Sequence, residues 1–284
     1  MTVRTNADQL LRTALVGEVT NPVLEGVSYA VDADGRPFVP VGAGGVQYRV
    51  RVGMTASGWA ADQVEPGASI ANPNPPANEA LLVYACLGNR AVVRTGAAAG
   101  ADGVVVGKHE AFQAYKHVLV DFAADVLARL APGDRIVVEA EGRGLQLPDL
   151  PRVACHSLSP RLWQRWAPEA TPGGLRVRVT RVLPPEVVGM GSGRVSAATS
   201  IALQAGFAEL DGLRIGDLVA IREWDATYVT GYHEEFLAIA AVVTGDSPLL
   251  GNGPAATILL SGPAAQIEPV LAEDANLATL LELP

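Results

Sequence analysis

Short valine-rich runs, broken by Gly, Pro, Asp and Asn, recur along the whole chain. In VQYRVRVG (46–53), Val46, Tyr48, Val50 and Val52 alternate with Gln47, Arg49 and Arg51. A period of two predicts a half-buried strand there. LRVRVTRVL (175–183) repeats the pattern with arginines outward. ALLVYACLG, RAVVR, GVVVG, HVLVDF, RIVVEAEG, DLVAIRE, LAIAAVVTG and ATILLSG are continuous apolar runs, predicting strands covered on both faces. Helical periodicity is sparse. DFAADVLARLAPGD (121–134) carries Phe122, Val126, Leu127 and Leu130 at helical spacing, with Asp121 as N-cap and Pro132-Gly133 as the stop. SPRLWQRWAP (159–168) fits a short helix, and one or two more are expected from Gln266 onward. The prolines and asparagines of IANPNPPANEA (70–80) predict a surface loop.

Strands without regular helical alternation exclude a parallel α/β sheet. The expected class is α+β and strand-rich, with antiparallel or mixed sheets, small SH3-like β-barrel elements and few short helices. Residues 94–105 have the glycine spacing of a turn in an SH3-like barrel of the KOW type, but alanines stand where RNA-binding modules carry basic residues. PGDRIVVEA (132–140) and IGDLVAIRE (215–223) enter strands through the same Gly-Asp turn. The proline-bearing stretch 147–160 divides a strand-rich N-terminal lobe with the barrel-like module (1–150) from a strand-rich C-terminal lobe (151–284), the two packing as one compact unit.

Composition narrows the function. The chain has 284 residues, 49% of them hydrophobic and 18% charged, which excludes a disordered chain. A formal charge of -9 argues against nucleic acid as partner. Cys86 and Cys155 lie in apolar runs outside any CxxC motif and read as buried free thiols. The opening residues lack a secretory pattern and no run is long enough to span a membrane, so a cytoplasmic protein with no membrane partner is expected.

Four glycine-flanked loops carry the candidate chemistry. In GWAADQVEPG (58–67), Asp62 and Glu65 could divide acid and base roles or share a metal, with Trp59 beside them. Lys108 and His109 end one strand and His117 begins the next; two imidazoles with Asp62 or Glu65 would suit zinc. In VVGMGSGRVSAATS (187–200), Gly191, Ser192, Gly193 and Arg194 could form an anion nest; the spacing matches neither a Walker loop, a Rossmann fingerprint nor a nucleophile elbow. REWDATYVTGYHEE (222–235) offers Asp225 as a further acid–base group and Trp224 as a wall. Each loop has a bland rival as well: a capped turn, a solvated loop or an exposed hairpin.

Taken in order, VRTNADQLLRTALVGEV, GWAADQVEPGAS, CLGN, TGAAAGADGVVVGKH, GMGSG and GDLVAI resemble the domain-of-unknown-function family 4438 over nearly the full length. The resemblance implies a strand-rich α+β fold and no particular activity. It also implies histidine at three positions where this chain differs. The family pattern commonly reads Asp-His at Asp62-Gln63, Asp-His-Asp at Glu223-Trp224-Asp225, and Gly-His-Gly-Pro at Gly251-Asn252-Gly253-Pro254.

The expected function is an enzyme performing hydrolysis, elimination or isomerisation on a small polar or anionic metabolite. Asp62, Glu65, Lys108, His109 and Asp225 are the catalytic candidates. Gly191, Ser192, Gly193, Arg194, Trp59 and Trp224 are the ligand-binding ones. No organic cofactor is expected and no metal ligand is assigned, though a divalent metal fits the donor types. A homo-oligomer is expected. The rivals are a small-molecule binding protein without catalysis and a structural assembly module.

Overall fold

The computed structural model describes residues 3–24, 28–111, 115–189 and 199–284. Its N-terminal half is a closed six-stranded barrel. Around the wall, Arg12–Val19 is followed by Ala68–Ala71, Tyr115–Asp121, Asp102–Ala111, Arg90–Val93 and Arg135–Glu141, which pairs back onto Arg12–Val19. Every pairing in it is antiparallel. Closure removes the exposed edges that would otherwise recruit other strands. Ile70, Val105, Val118, Val120, Ile136 and Val138 are buried in one cluster, and Leu81 and Leu82 of helix Pro75–Tyr84 join it.

The C-terminal half is a mixed sheet. Arg181–Leu183 runs parallel to Leu218–Asp225; Gly231–Val242, Ala255–Pro263 and Ser200–Ala202 continue it antiparallel, and Ala154–Cys155 pairs with Ala255–Pro263. A three-stranded sheet of Glu169–Thr171, Gly174–Val179 and Ile267–Leu271 lies beside it. The halves meet through the outer face of the barrel wall. Val106 and Leu119 pack in one cluster with Ile239, Ala241 and Leu259. The Thr257 hydroxyl accepts from Lys108 N (3.2 Å) and donates to Lys108 O (3.0 Å), tying the second sheet to the barrel strand that carries His109.

The class expected from the sequence is the one observed: strand-rich α+β, with a barrel, mixed sheets and short helices. Several elements differ from expectation. Residues 46–53 form no strand, because their backbone bonds go to different elements: Gln47 N donates to Gly67 O and Gly53 N to Ile215 O. The first five residues of ALLVYACLG and the preceding Pro-Pro-Ala-Asn-Glu form helix Pro75–Tyr84 instead of a strand and a loop. The Asn74 side chain accepts from Ala77 N at 3.1 Å, and prolines at the first helical positions sacrifice only amides that have no helical partner. The 121–134 helix shrinks to Ala124–Leu127, with Asp121 drawn away to bind Arg51 (3.1 Å). The chain end supplies strand Ile267–Leu271 before the short helix Leu277–Leu280.

Candidate functional site

His109 and His117 are direct partners across the antiparallel pair Asp102–Ala111 and Tyr115–Asp121, so their side chains share one face. Ser69 is the partner of Leu119 on the next strand, which brings its hydroxyl to the same face. This is the outer face that turns toward the second sheet. The neighbouring pair, Lys108 with Val118, points the opposite way by the period of two.

Glu65 reaches the two imidazoles from the loop before strand Ala68–Ala71. That loop lies against residues 41–44: Asp62 N donates to Val41 O (2.7 Å) and Glu65 N to Gly42 O (3.0 Å). The approach requires glycine at 42, since a Cβ there would lie 2.0 Å from Asp62 O. The Glu65 carboxylate is buried and meets four donors: His109 Nδ1 at 2.7 Å, His117 Nδ1 at 2.9 Å, Ser69 Oγ at 2.5 Å and Gly44 N at 2.7 Å. A carboxylate offers about four lone-pair positions, so the group is saturated as an acceptor. Burial pushes its pKa up. The charge of His117, hydrogen bonds from His109 and His117, and the charge of His109 outweigh burial and hold the carboxyl well below the ordinary carboxylate range.

Gln63 closes the other side of His109. Its Oε1 lies 3.2 Å from His109 Nε2 and its Nε2 donates to Gly253 O at 2.6 Å. Its φ is 44°, a left-handed backbone conformation uncommon for a side chain with a Cβ. Asn252 Oδ1 lies 3.4 Å from Gln63 Nε2, so two of the three positions where the resemblance implies histidine adjoin one another beside His109. Tyr115 stacks on His117 (ring centroids 5.1 Å, 17°) and meets His109 edge-on (5.1 Å, 71°). His117 Nε2 has no hydrogen-bond partner among the described residues.

Chemically, the arrangement is a carboxylate that fixes the orientation of two imidazoles through Nδ1. The same logic orients histidine in acid–base and metal sites. The Nδ1 atoms and the carboxylate oxygens are committed to each other. Among the described residues, no group of three or more His, Cys, Asp or Glu is arranged to hold a metal ion.

Of the residues singled out in the sequence, Glu65, His109 and His117 come together here. Asp62 stands beside Gln63 in the chain; its Oδ1 is buried and has no partner among the described residues. Trp59 donates through Nε1 to Thr55 O (2.9 Å). Lys108 lies on the other face, donating through Nζ to Leu82 O at 2.7 Å. Asp225 belongs to a separate cluster, where it accepts from Ser261 Oγ (3.3 Å) and Thr227 N (2.8 Å). The buried Trp224 precedes it, with an Nε1 that has no partner among the described residues. His156 belongs near Asp225. Burial first, then the charges of Arg143 and Lys108, push its pKa down to about 4 against the opposing charge of Asp225. Gly191, Ser192, Gly193 and Arg194 lie outside the described residues. Sequence reading assigned no role to Ser69, Gln63 or Tyr115. Ser69 and Tyr115 become visible only once the strand register is known, and the signal at Gln63 was its departure from the histidine that the family resemblance implies there.

Residues 29–164 match the N-terminal model of the domain of unknown function DUF4438, and residues 165–281 match its C-terminal model. The chain belongs to the DUF4438 family. The two family models adjoin inside helix Pro160–Trp166, well past the last barrel strand, Arg135–Glu141. Among solved structures, the crystal structure of TM1086 is similar to this DUF4438 chain at 34% identity. The match covers 100% of both chains with a TM-score of 0.93. No curated protein matches the chain. Among the described residues, no helix is long and apolar enough to cross a membrane.

Proposed function

We propose that this DUF4438 protein is an enzyme that moves protons on a small polar or anionic metabolite, in a hydrolysis, elimination or isomerisation. His117 accepts the proton and Glu65 orients it. One observation carries the reading: a fully buried carboxylate holds two imidazoles by their Nδ1 atoms at the seam between barrel and sheet. Burying such charges costs several kcal/mol per ion on the order-of-magnitude scale of desolvation, and an apolar seam would be at least as stable. Functional sites are where such costs are retained.

The test is consumption of substrate, followed by NMR, across a panel of small hydroxy acids, lactones, amides and phosphomonoesters. The expected result is turnover of a panel member by the full chain. His117→Gln should abolish it and leave binding of that compound within about threefold. Turnover unchanged in His117→Gln would overturn the assignment. The second reading, a binding protein without catalysis, is favoured by Gln63, which engages the Nε2 of His109 that a reacting group would otherwise meet. Saturable binding of a panel compound without consumption would select it.

A further inference from the structure

The hydrogen-bond pattern around His109 assigns its protons. A glutamine amide can be placed either way round by shape alone, so its orientation must come from its partners. One end of the Gln63 amide lies 2.6 Å from Gly253 O, a backbone carbonyl that can only accept. That end is therefore the NH2 group, and the oxygen is the end that faces His109 Nε2 at 3.2 Å. An amide oxygen also only accepts, so Nε2 must carry a hydrogen. The opposite ring nitrogen, Nδ1, lies 2.7 Å from the saturated, ionised Glu65 carboxylate and must carry one too. We infer that Gln63 and Glu65 together hold His109 as a double donor, the imidazolium form, and that Gln63 is the positioning residue responsible.

The pair Glu65 and His109 is then a buried ion pair of zero net charge. His117 donates to the same carboxylate through Nδ1. Its Nε2 is left as the ring nitrogen of the cluster that can take up or release a proton. His109 orients and balances charge, and proton traffic passes through His117 alone. The division of labour rests on the enzyme reading above, whereas the protonation of His109 does not. The left-handed backbone at Gln63 fits this role, because it aims the side chain between Gly253 and the ring.

The experiment is 15N NMR of the full chain with labelled histidine at pH 7.5, the signals assigned with His109→Gln and His117→Gln. Both ring nitrogens of His109 are expected to show the chemical shift of a proton-bearing nitrogen. Gln63→Met, which keeps the side-chain length and removes the acceptor, should move Nε2 of His109 toward the unprotonated shift and leave His117 in place. A wild-type His109 with an unprotonated Nε2 would overturn the inference; if an assignment variant fails to fold, ring-proton contacts with Tyr115, edge-on for His109 and stacked for His117, assign the signals in the parent. The measurement needs no substrate, so failure to find turnover counts against the enzyme proposal and leaves this one standing.

Discussion

Lys108 and His109 are consecutive in one strand, yet they serve opposite faces of the barrel wall. The Lys108 ammonium donates to Leu82 O at 2.7 Å beneath helix Pro75–Tyr84, while His109 Nδ1 meets Glu65 at 2.7 Å on the face toward the second sheet. Sequence adjacency made them look like one site; strand geometry puts the wall between them. Any function of Lys108 is therefore separate from the histidine cluster.

Its physical position suggests that Lys108 costs stability at neutral pH. Burial lowers the amine's pKa from 10.5 to about 8; Cys86 and Glu110 oppose the shift and Arg143 adds to it. For a base with a depressed pKa, the unfolded chain holds the proton more tightly, so the penalty is full below pH 8 and fades as the pH rises toward 10.5. Lys108→Met should therefore gain about 2 kcal/mol at pH 7, after allowing about 1 kcal/mol for the lost hydrogen bond to Leu82 O. The gain should shrink toward zero near pH 10. Urea denaturation at both pH values checks this, and a variant less stable than the parent at pH 7 would refute it. The signals of His109 and His117 should be unchanged.

The fold was legible in the sequence where the hydrophobic pattern was long and continuous, as in RIVVEAEG and LAIAAVVTG, which became strands Arg135–Glu141 and Gly231–Val242. It misled where local chemistry outweighed pattern. Residues 46–53 alternate cleanly, but strand formation needs a partner along the whole length, and Gly44, Gly45 and Gly53 at positive φ send the segment between two bodies. In Pro75–Tyr84, the Asn-Pro-Pro start was a helix N-terminus that an apolar run concealed. The site was legible as residue types: Glu65, His109 and His117 were named from glycine-flanked loops, with the two imidazoles set beside a carboxylate. Its detailed geometry was not, because the entry of Glu65 depends on the close approach of the 41–44 loop, which leaves no local signal.

Glu65 should be the most sensitive position in the cluster. A glutamine there presents one acceptor oxygen and an NH2 group to four donors, so two donors at least lose their partner. Breaking a buried ionic network of this kind typically costs about 3–5 kcal/mol, and Glu65→Gln is expected to lose that much at pH 7. Sign follows from the depressed carboxyl. Its contribution is complete above the ordinary glutamate value of 4.5 and is lost as the pH falls below it. The deficit of Glu65→Gln relative to the parent should thus narrow from pH 5 to pH 3. Equal deficits at pH 7 and pH 3, by denaturant titration, would reject the ionised, saturated carboxylate.

Gly42 sets the distance between the two loops that build the cluster. An added Cβ would lie 2.0 Å from Asp62 O and 3.1 Å from Val64 N, and both are backbone atoms that cannot rotate aside. The loops are also tied on either side of the contact, by Asp62 N to Val41 O and Glu65 N to Gly42 O, so relief has to come from moving 62–65 as a unit. Gly42→Ala is therefore expected to cost about 2–4 kcal/mol, the range of overpacking and backbone strain at a tight contact. Because 62–65 carries both Gln63 and Glu65, the displacement should also weaken the grip on His109. In the folded variant, the Nε2 signal of His109 should shift even though no side chain of the cluster has changed. A stable Gly42→Ala protein with parental histidine signals would show that the loops do not need this close approach, and that the geometry of Glu65 is fixed from the barrel side alone.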